Sequence, residues 1–206
     1  MAAPVKRRAT YEDLLQVPEH QVAEIVGGEM HVSPRPASRH ALASAGLDRA
    51  LGPPFHDGHG GPGGWWILFE PELHLGEDVV VPDLAWWRRE RMPEFPDTPA
   101  FTQAPDWVCE VVSPSTERLD RARKLPAYAR ERVAHVWLVN PLARTQEVYR
   151  LAEGRWLLVA THEATARVRA EPFEAVELAL GPLWGEADHL QASPVLPTGA
   201  SSPTPK

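Results

Sequence analysis

Two apolar runs in this chain are each broken by one carboxylate, and a lysine follows the second at close range. The first is Val79-Val80-Val81-Pro82-Asp83; the second is Trp107-Val108-Cys109-Glu110-Val111-Val112. Asp120, Lys124 and Tyr128 then follow at steps of four. A carboxylate within or at the end of a buried strand is costly unless it is paired or bound to a metal. Two in succession point to a site. Hard divalent cations such as Mg²⁺, with Mn²⁺ as a stand-in, take oxygen ligands and keep waters. Asp83, Glu110 and a strand carbonyl such as that of Val111 would suffice. An ion there would polarise a phosphoryl group and generate a hydroxide-like nucleophile, and Lys124 could orient or deprotonate the attacking water. The chemistry these residue types supply is metal-assisted phosphodiester hydrolysis.

Each residue also has an ordinary role to weigh. Aspartate is common at turns and strand ends, and Glu110 could form a structural ion pair with an arginine, since Glu is rarely buried alone. Lys124 could be a solvated helix lysine with Asp120 as its i,i+4 partner, worth roughly a few tenths of a kcal/mol. Arg118, Arg121 and Arg123, with Arg130 and Arg132, could engage phosphates or form a solvated face. His56 and His59 could suggest zinc, but a glycine-rich loop preorganises ligands poorly and no third ligand is evident. Cys109 reads as a buried apolar filler, with no His beside it in sequence to activate a thiol.

The elements that must position these groups alternate between strands and helices. Thr10, with Asp13 three residues on, caps a short helix that Pro18 ends. Ala23–Val26 and Glu29–Val32 flank Gly27-Gly28 as a hairpin. Pro36 to Leu51 reads as a helix with Ala41, Leu42, Ala45, Leu47 and Leu51 toward the core. Gly52 to Gly64, with six glycines and three prolines in thirteen residues, reads as loop. Trp65–Glu70 and Leu73–Leu75 are strands, one strand if the chain merely bends at Pro71. Val79–Val81 opens a strand that continues past Pro82 to about Trp87. Met92–Pro105 is loop and Trp107–Val112 is strand.

Glu117–Arg132 is mostly helical. Pro126 either kinks that helix or stands in the first turn of a new one. His135–Val139 is a buried strand, Thr145–Leu151 and Arg155–Thr161 pair as a hairpin, and Val168–Leu180 returns to the sheet or its edge. In the Trp65-Trp66 and Trp86-Trp87 pairs, strand alternation divides members between core and surface. An exposed member could stack on a base or form part of a dimer interface. Strands apolar on both faces require a sheet covered on both sides, so the expectation is one α/β domain with a mixed sheet over residues 10–185. Residues 1–9 and the Pro/Ser-rich 186–206 read as disordered ends.

A formal net charge of −7 argues against tight, sequence-blind binding to a polyanion, which relies on many phosphate contacts from Lys and Arg. No run is long and apolar enough to span a membrane. The N-terminus lacks the apolar core of a secretory signal. A single cysteine excludes an internal disulfide and fits a reducing cytosol.

Together, Pro82-Asp83, Glu110-Val-Val-Ser-Pro-Ser-Thr116, Asp120-Arg-Ala-Arg-Lys124 with Tyr128, Val136-Trp-Leu-Val-Asn-Pro141 and Glu147-Val-Tyr149 resemble the Uma-two endonuclease family. This is a branch of the PD-(D/E)XK, restriction-endonuclease-like superfamily. Glu24-Ile-Val-Gly-Gly-Glu29 is similar to the family's first hairpin, so the resemblance runs from about Thr10 to Trp184. It implies a restriction-endonuclease-like fold, a mixed central sheet flanked by helices with an added N-terminal helix and hairpin. It also implies Asp83 and Glu110 as metal ligands, Lys124 as the catalytic lysine and Glu24 on the metal or its water. Asp120, Tyr128 and Ser113 would support them. DNA is the implied substrate and Mg²⁺ the implied cofactor; the superfamily's habit of dimerising extends the expectation to a homodimer. The chain departs from the pattern at Val112, where the superfamily's usual lysine would stand, and at Gly27 and Ala23 in the hairpin. Two other classes compete with the nuclease: a scaffold that keeps the fold without cutting, and a zinc hydrolase using His56 and His59.

Overall fold

The computed structural model describes residues 7–187. Helix α1 (Tyr11–Leu14) opens with the expected capping box between Thr10 and Asp13. Strands β1 (Gln21–Val26) and β2 (Glu29–Pro34) form the antiparallel hairpin. Its Gly27 and Gly28 both have positive φ, as a two-residue hairpin turn of this hand requires. Helix α2 (Ser38–Gly52) runs directly into a π-helical turn at Pro53–Asp57, so the expected glycine-rich loop begins only after it. Ala43, Leu47 and Leu51 form the buried stripe of α2, whereas Ala41 and Leu42 are exposed. The apolar positions of that helix admit two stripes one residue apart, and packing on the sheet selects the one at 43, 47 and 51.

The next stretch corrects the expected strands. β3 (Trp65–Phe69) and β4 (Leu73–Leu75) belong to different sheets, and so do β5 (Asp78–Val80) and β6 (Leu84–Arg88). The chain does not run through Pro82 as one strand. A proline has no N–H for a ladder, and the Val81-Pro82-Asp83 segment is where the backbone crosses from one sheet to the other. β7 (Trp107–Val111) follows the long loop and is buried throughout. Helix α3 (Glu117–Leu119) then leads through a π-helical turn at Asp120–Lys124 into α4 (Leu125–Arg130), with Pro126 in the first turn of α4. β8 (His135–Asn140), β9 (Thr145–Ala152) and β10 (Arg155–Glu163) complete the large sheet. Residues 168–180 do not rejoin it. β11 (Arg167–Val168) and β12 (Leu178–Ala179) pair only with each other, before a 3₁₀ turn at Gly181–Trp184.

The large sheet has the order β10-β9-β8-β7-β6-β3 and is mixed, parallel only between β7 and β8. The smaller antiparallel sheet is β2-β1-β5-β4. Side-chain alternation along β7 sends Trp107, Cys109 and Val111 into a core shared with α2, Trp86, Trp137 and Phe173. Val108 and Val112 enter the opposite core, with Trp87, Tyr128, Val136 and residues of the small sheet. Both members of the Trp86-Trp87 pair are therefore interior, one on each face, because both faces of the sheet are covered. Trp65 is buried as well, while Trp66 is half-buried under the Arg89 guanidinium. The expected disordered ends lie mostly outside the described residues.

Candidate active site

β1, the β5–β6 crossing, β7 and the π-helical turn each deliver one acid to the same pocket. Glu24, Asp83, Glu110 and Asp120 line it, together with Lys124 and Ser113. Lys124 is the hub. Its Nζ lies 2.8 Å from Glu110 Oε1, 2.9 Å from Glu24 Oε1 and 3.6 Å from Asp120 Oδ1. The ordinary role weighed for Glu110 is an ion pair with an arginine; in the fold its charged partner is this lysine, and Tyr128 Oη also donates to Glu110 Oε1, at 2.5 Å.

Local structure explains the convergence. β1 alternates, so Glu24 and Val22 face the pocket side together. Glu24 is fixed by the Val81 N–H, which donates to its Oε1 at 2.8 Å across the strand pair. Asp83 is fixed from the opposite sheet, where the Val111 N–H donates to its Oδ2 at 2.7 Å. Glu110 faces the pocket because Cys109 and Val111 face away. The π-helical turn, closed by the Leu125 N–H to the Asp120 carbonyl, brings the helical trio into line. A step of four overshoots an α-turn of about 3.6 residues and undershoots the wider π turn. The two drifts offset, and Asp120, Lys124 and Tyr128 all point inward and are buried.

Four carboxylates against one ammonium leave the cluster short of positive charge. Burial pushes the Glu110 carboxyl well up; Lys124 opposes this, and Asp120, Asp83 and Glu24 add to it. Asp120 is raised by burial too, against the pull of Lys124. Burial alone would lower the Lys124 ammonium, but Glu110 and Glu24 outweigh it and hold the lysine well above its ordinary range. These shifts share one meaning: the cluster takes up positive charge. Its donors are hard oxygens, and the bonds from Val81, Tyr128 and Lys124 fall on one oxygen, Oε1, of Glu24 or Glu110. That donor set suits Mg²⁺ or Mn²⁺. As the side chains stand, no group of three or more His, Cys, Asp or Glu among the described residues is arranged to hold a metal, Glu24 and Glu110 being turned to Lys124.

The remaining predicted residues divide. Val111 contributes backbone to Asp83 while its side chain enters the α2 core. Ser113 Oγ is 2.9 Å from Ser115 Oγ and 3.1 Å from Thr116 Oγ1 at the pocket wall. Arg118 and Arg123 are exposed, Arg123 lying 3.9 Å from Glu29. Arg121 is committed within the fold: it donates twice to Glu147, at 2.8 Å each, and once to Glu117. His56 and His59 form no metal-binding group. Cys109 is wholly buried, and burial raises its thiol far from reactivity.

Two pocket residues gave no sequence signal. His40, on α2, places Nε2 3.0 Å from Asp83 Oδ1. Burial would lower its imidazole, but the bond to Asp83 raises it overall. Arg35 reaches the pocket from the segment after β2 and pairs loosely with Glu70 at 3.3 Å. Only folding sets α2 and that segment beside the crossing.

A mixed sheet covered on both faces, carrying a carboxylate–lysine pocket where two sheets meet, places this molecule among the restriction-endonuclease-like α/β domains. Residues 9–181 match the model of the Uma2 family, described as "Putative restriction endonuclease", and the chain belongs to that family. Among solved structures it is similar to "a putative nuclease belonging to DUF820" from Anabaena variabilis ATCC 29413. The two are 20% identical with a TM-score of 0.65, covering 86% of this chain and 98% of that one. At that identity the likeness speaks for the fold. No curated protein matches this chain. Among the described residues no helix is long and apolar enough to cross a membrane.

Proposed function

We propose that this protein is a divalent-metal-dependent endonuclease that hydrolyses DNA phosphodiester bonds. The observation that carries the reading is the convergence of Asp83, Glu110 and Lys124, from three separate segments, on one pocket. Asp83 and Glu110, with the Val111 carbonyl, would hold Mg²⁺, and Glu24 would sit on the ion or its water. When bound, such an ion supplies Lewis acidity and a water of lowered pKa. The chain's own groups do the rest. His40 and the Val111 N–H hold Asp83 in one orientation. Tyr128 holds Glu110. Lys124, kept protonated by its carboxylates, acts as an N–H donor and a fixed positive charge where a phosphoryl group gains negative charge.

Supercoiled plasmid, which carries locally opened segments, and single-stranded DNA incubated with Mg²⁺ or Mn²⁺ should be cut by the native protein and left intact by Asp83→Ala; cutting by the variant at the native rate rejects the assignment. A second reading, a nuclease-fold binding protein that does not cut, is favoured by Glu24 and Glu110 being turned to Lys124 rather than toward a shared ion. Calorimetric titration with Mn²⁺ separates the two. The nuclease binds the ion at a site lost in Glu110→Ala, and the binding protein shows no such site.

A further inference from the structure

We infer that the pocket takes an unpaired nucleotide, so that the substrate is single-stranded or locally opened DNA rather than continuous duplex. The inference rests on the nuclease reading and names its substrate class. Three of the acids and the lysine are nearly buried in a well: Glu24, Glu110, Asp120 and Lys124 expose 5%, 3%, 3% and 2% of their surfaces, and Asp83 is the most open of the set, its side chain 15% exposed. The room above them is about 330 Å³, at the low end of cavities that hold a small organic ligand. A phosphate within a duplex cannot descend into such a space, because its paired strand and stacked neighbours come with it. Enzymes that must bring a target atom out of a duplex and into a pocket act on single strands or extrude the nucleotide from the helix.

The lining agrees with such an occupant. Pro34 at the end of β2, Pro36 and Ala37 just after it, Pro114 after β7, and Val22 and Val81 give the well apolar walls. Proline walls are stiff, and an apolar wall suits the face of any base or sugar. Arg35 lines the same pocket with its side chain 56% exposed, donating to the Glu19 carbonyl at 3.0 Å and to Glu70 at 3.3 Å, and supplies a guanidinium at the pocket wall for an incoming phosphate. Over the whole chain, a formal charge of −7 supplies little of the cationic surface that duplex binding without sequence preference requires.

The test compares a labelled single-stranded oligonucleotide of mixed sequence with the duplex made from it. Binding is read by fluorescence anisotropy in EDTA and in Mn²⁺, and cleavage on a denaturing gel. The single strand should bind about tenfold or more tightly than the duplex, the scale of one or two base contacts, and be cut faster. Duplex bound and cut as well as the single strand overturns the inference while leaving the nuclease reading in place. Preferential single-strand binding without cleavage upholds the pocket's preference and removes the hydrolytic reading. Binding of neither overturns both.

Discussion

Cys109 and Glu110 are consecutive on β7 and equally inaccessible, yet they sit in opposite kinds of interior. On the Cys109 side, Trp65, Trp86, Trp107 and Trp137 pack around Phe173, whose ring centroid lies 4.8–5.5 Å from theirs. Polar atoms there are few and poorly served. The Trp86 and Trp107 indole N–H groups and the Gln146 side chain have no hydrogen-bond partner among the described residues. On the Glu110 side, one residue away, a lysine, a tyrosine and two further acids are tied together. The aromatic face uses burial to gain stability, whereas the acidic face accepts a desolvation penalty that only pairing and function can justify. A single strand serves both because its side chains alternate.

Lys124→Ala should break the acidic face and produce the largest effect. Cleavage is expected to fall by about 10²–10³-fold, as when a preorganised donor is removed. Urea unfolding should show a loss of about 3–5 kcal/mol, since buried carboxylates lose their counter-charge. An unchanged cleavage rate would put Lys124 outside the chemistry. Phe173→Ala attacks the other face. It should cost about 3–5 kcal/mol by the same assay while leaving the Mn²⁺ affinity of the folded protein unaltered. A drop in metal affinity there would mean the two faces are coupled through β7.

The smallest effect sharpens the contrast between buried and outer ion pairs. Glu147 is held below its ordinary 4.5 by the Arg121 guanidinium, with Tyr149 helping against burial. A depressed carboxyl stabilises the fold above its unfolded value, and that contribution is lost as pH falls from about 4.5 through the lower folded value. Because Glu147 and Arg121 remain partly exposed, Glu147→Gln should cost only about 1 kcal/mol or less at about pH 7. The gap to the native protein should close once the pH falls below the lowered folded value of Glu147. A gap that persists in acid would assign the loss to packing instead.

Much of this arrangement was legible in the chain. Gly27-Gly28 announced a hairpin because a two-residue turn with positive φ at both positions admits little else, and the apolar run around Glu110 announced a buried strand. The steps of four from Asp120 to Tyr128 announced a shared face. Other features were closed to local reading. Val79 to Trp87 looks like one strand because nothing within it says that Pro82 marks a change of sheet. Phe173 looks like part of an edge strand because the aromatic socket that receives it is assembled from Trp65, Trp86, Trp107 and Trp137, all distant in sequence.

By itself, then, the sequence determined that the strand around Glu110 had to be interior and that it carried an ionisable group there, since burial follows from side-chain chemistry and strand period. Tertiary structure alone decided their partners. His40 meets Asp83, and Lys124 meets Glu24 and Glu110, only because two sheets and a helix close around one crossing. Coulomb energy between such groups depends on distances that no spacing along the chain prescribes.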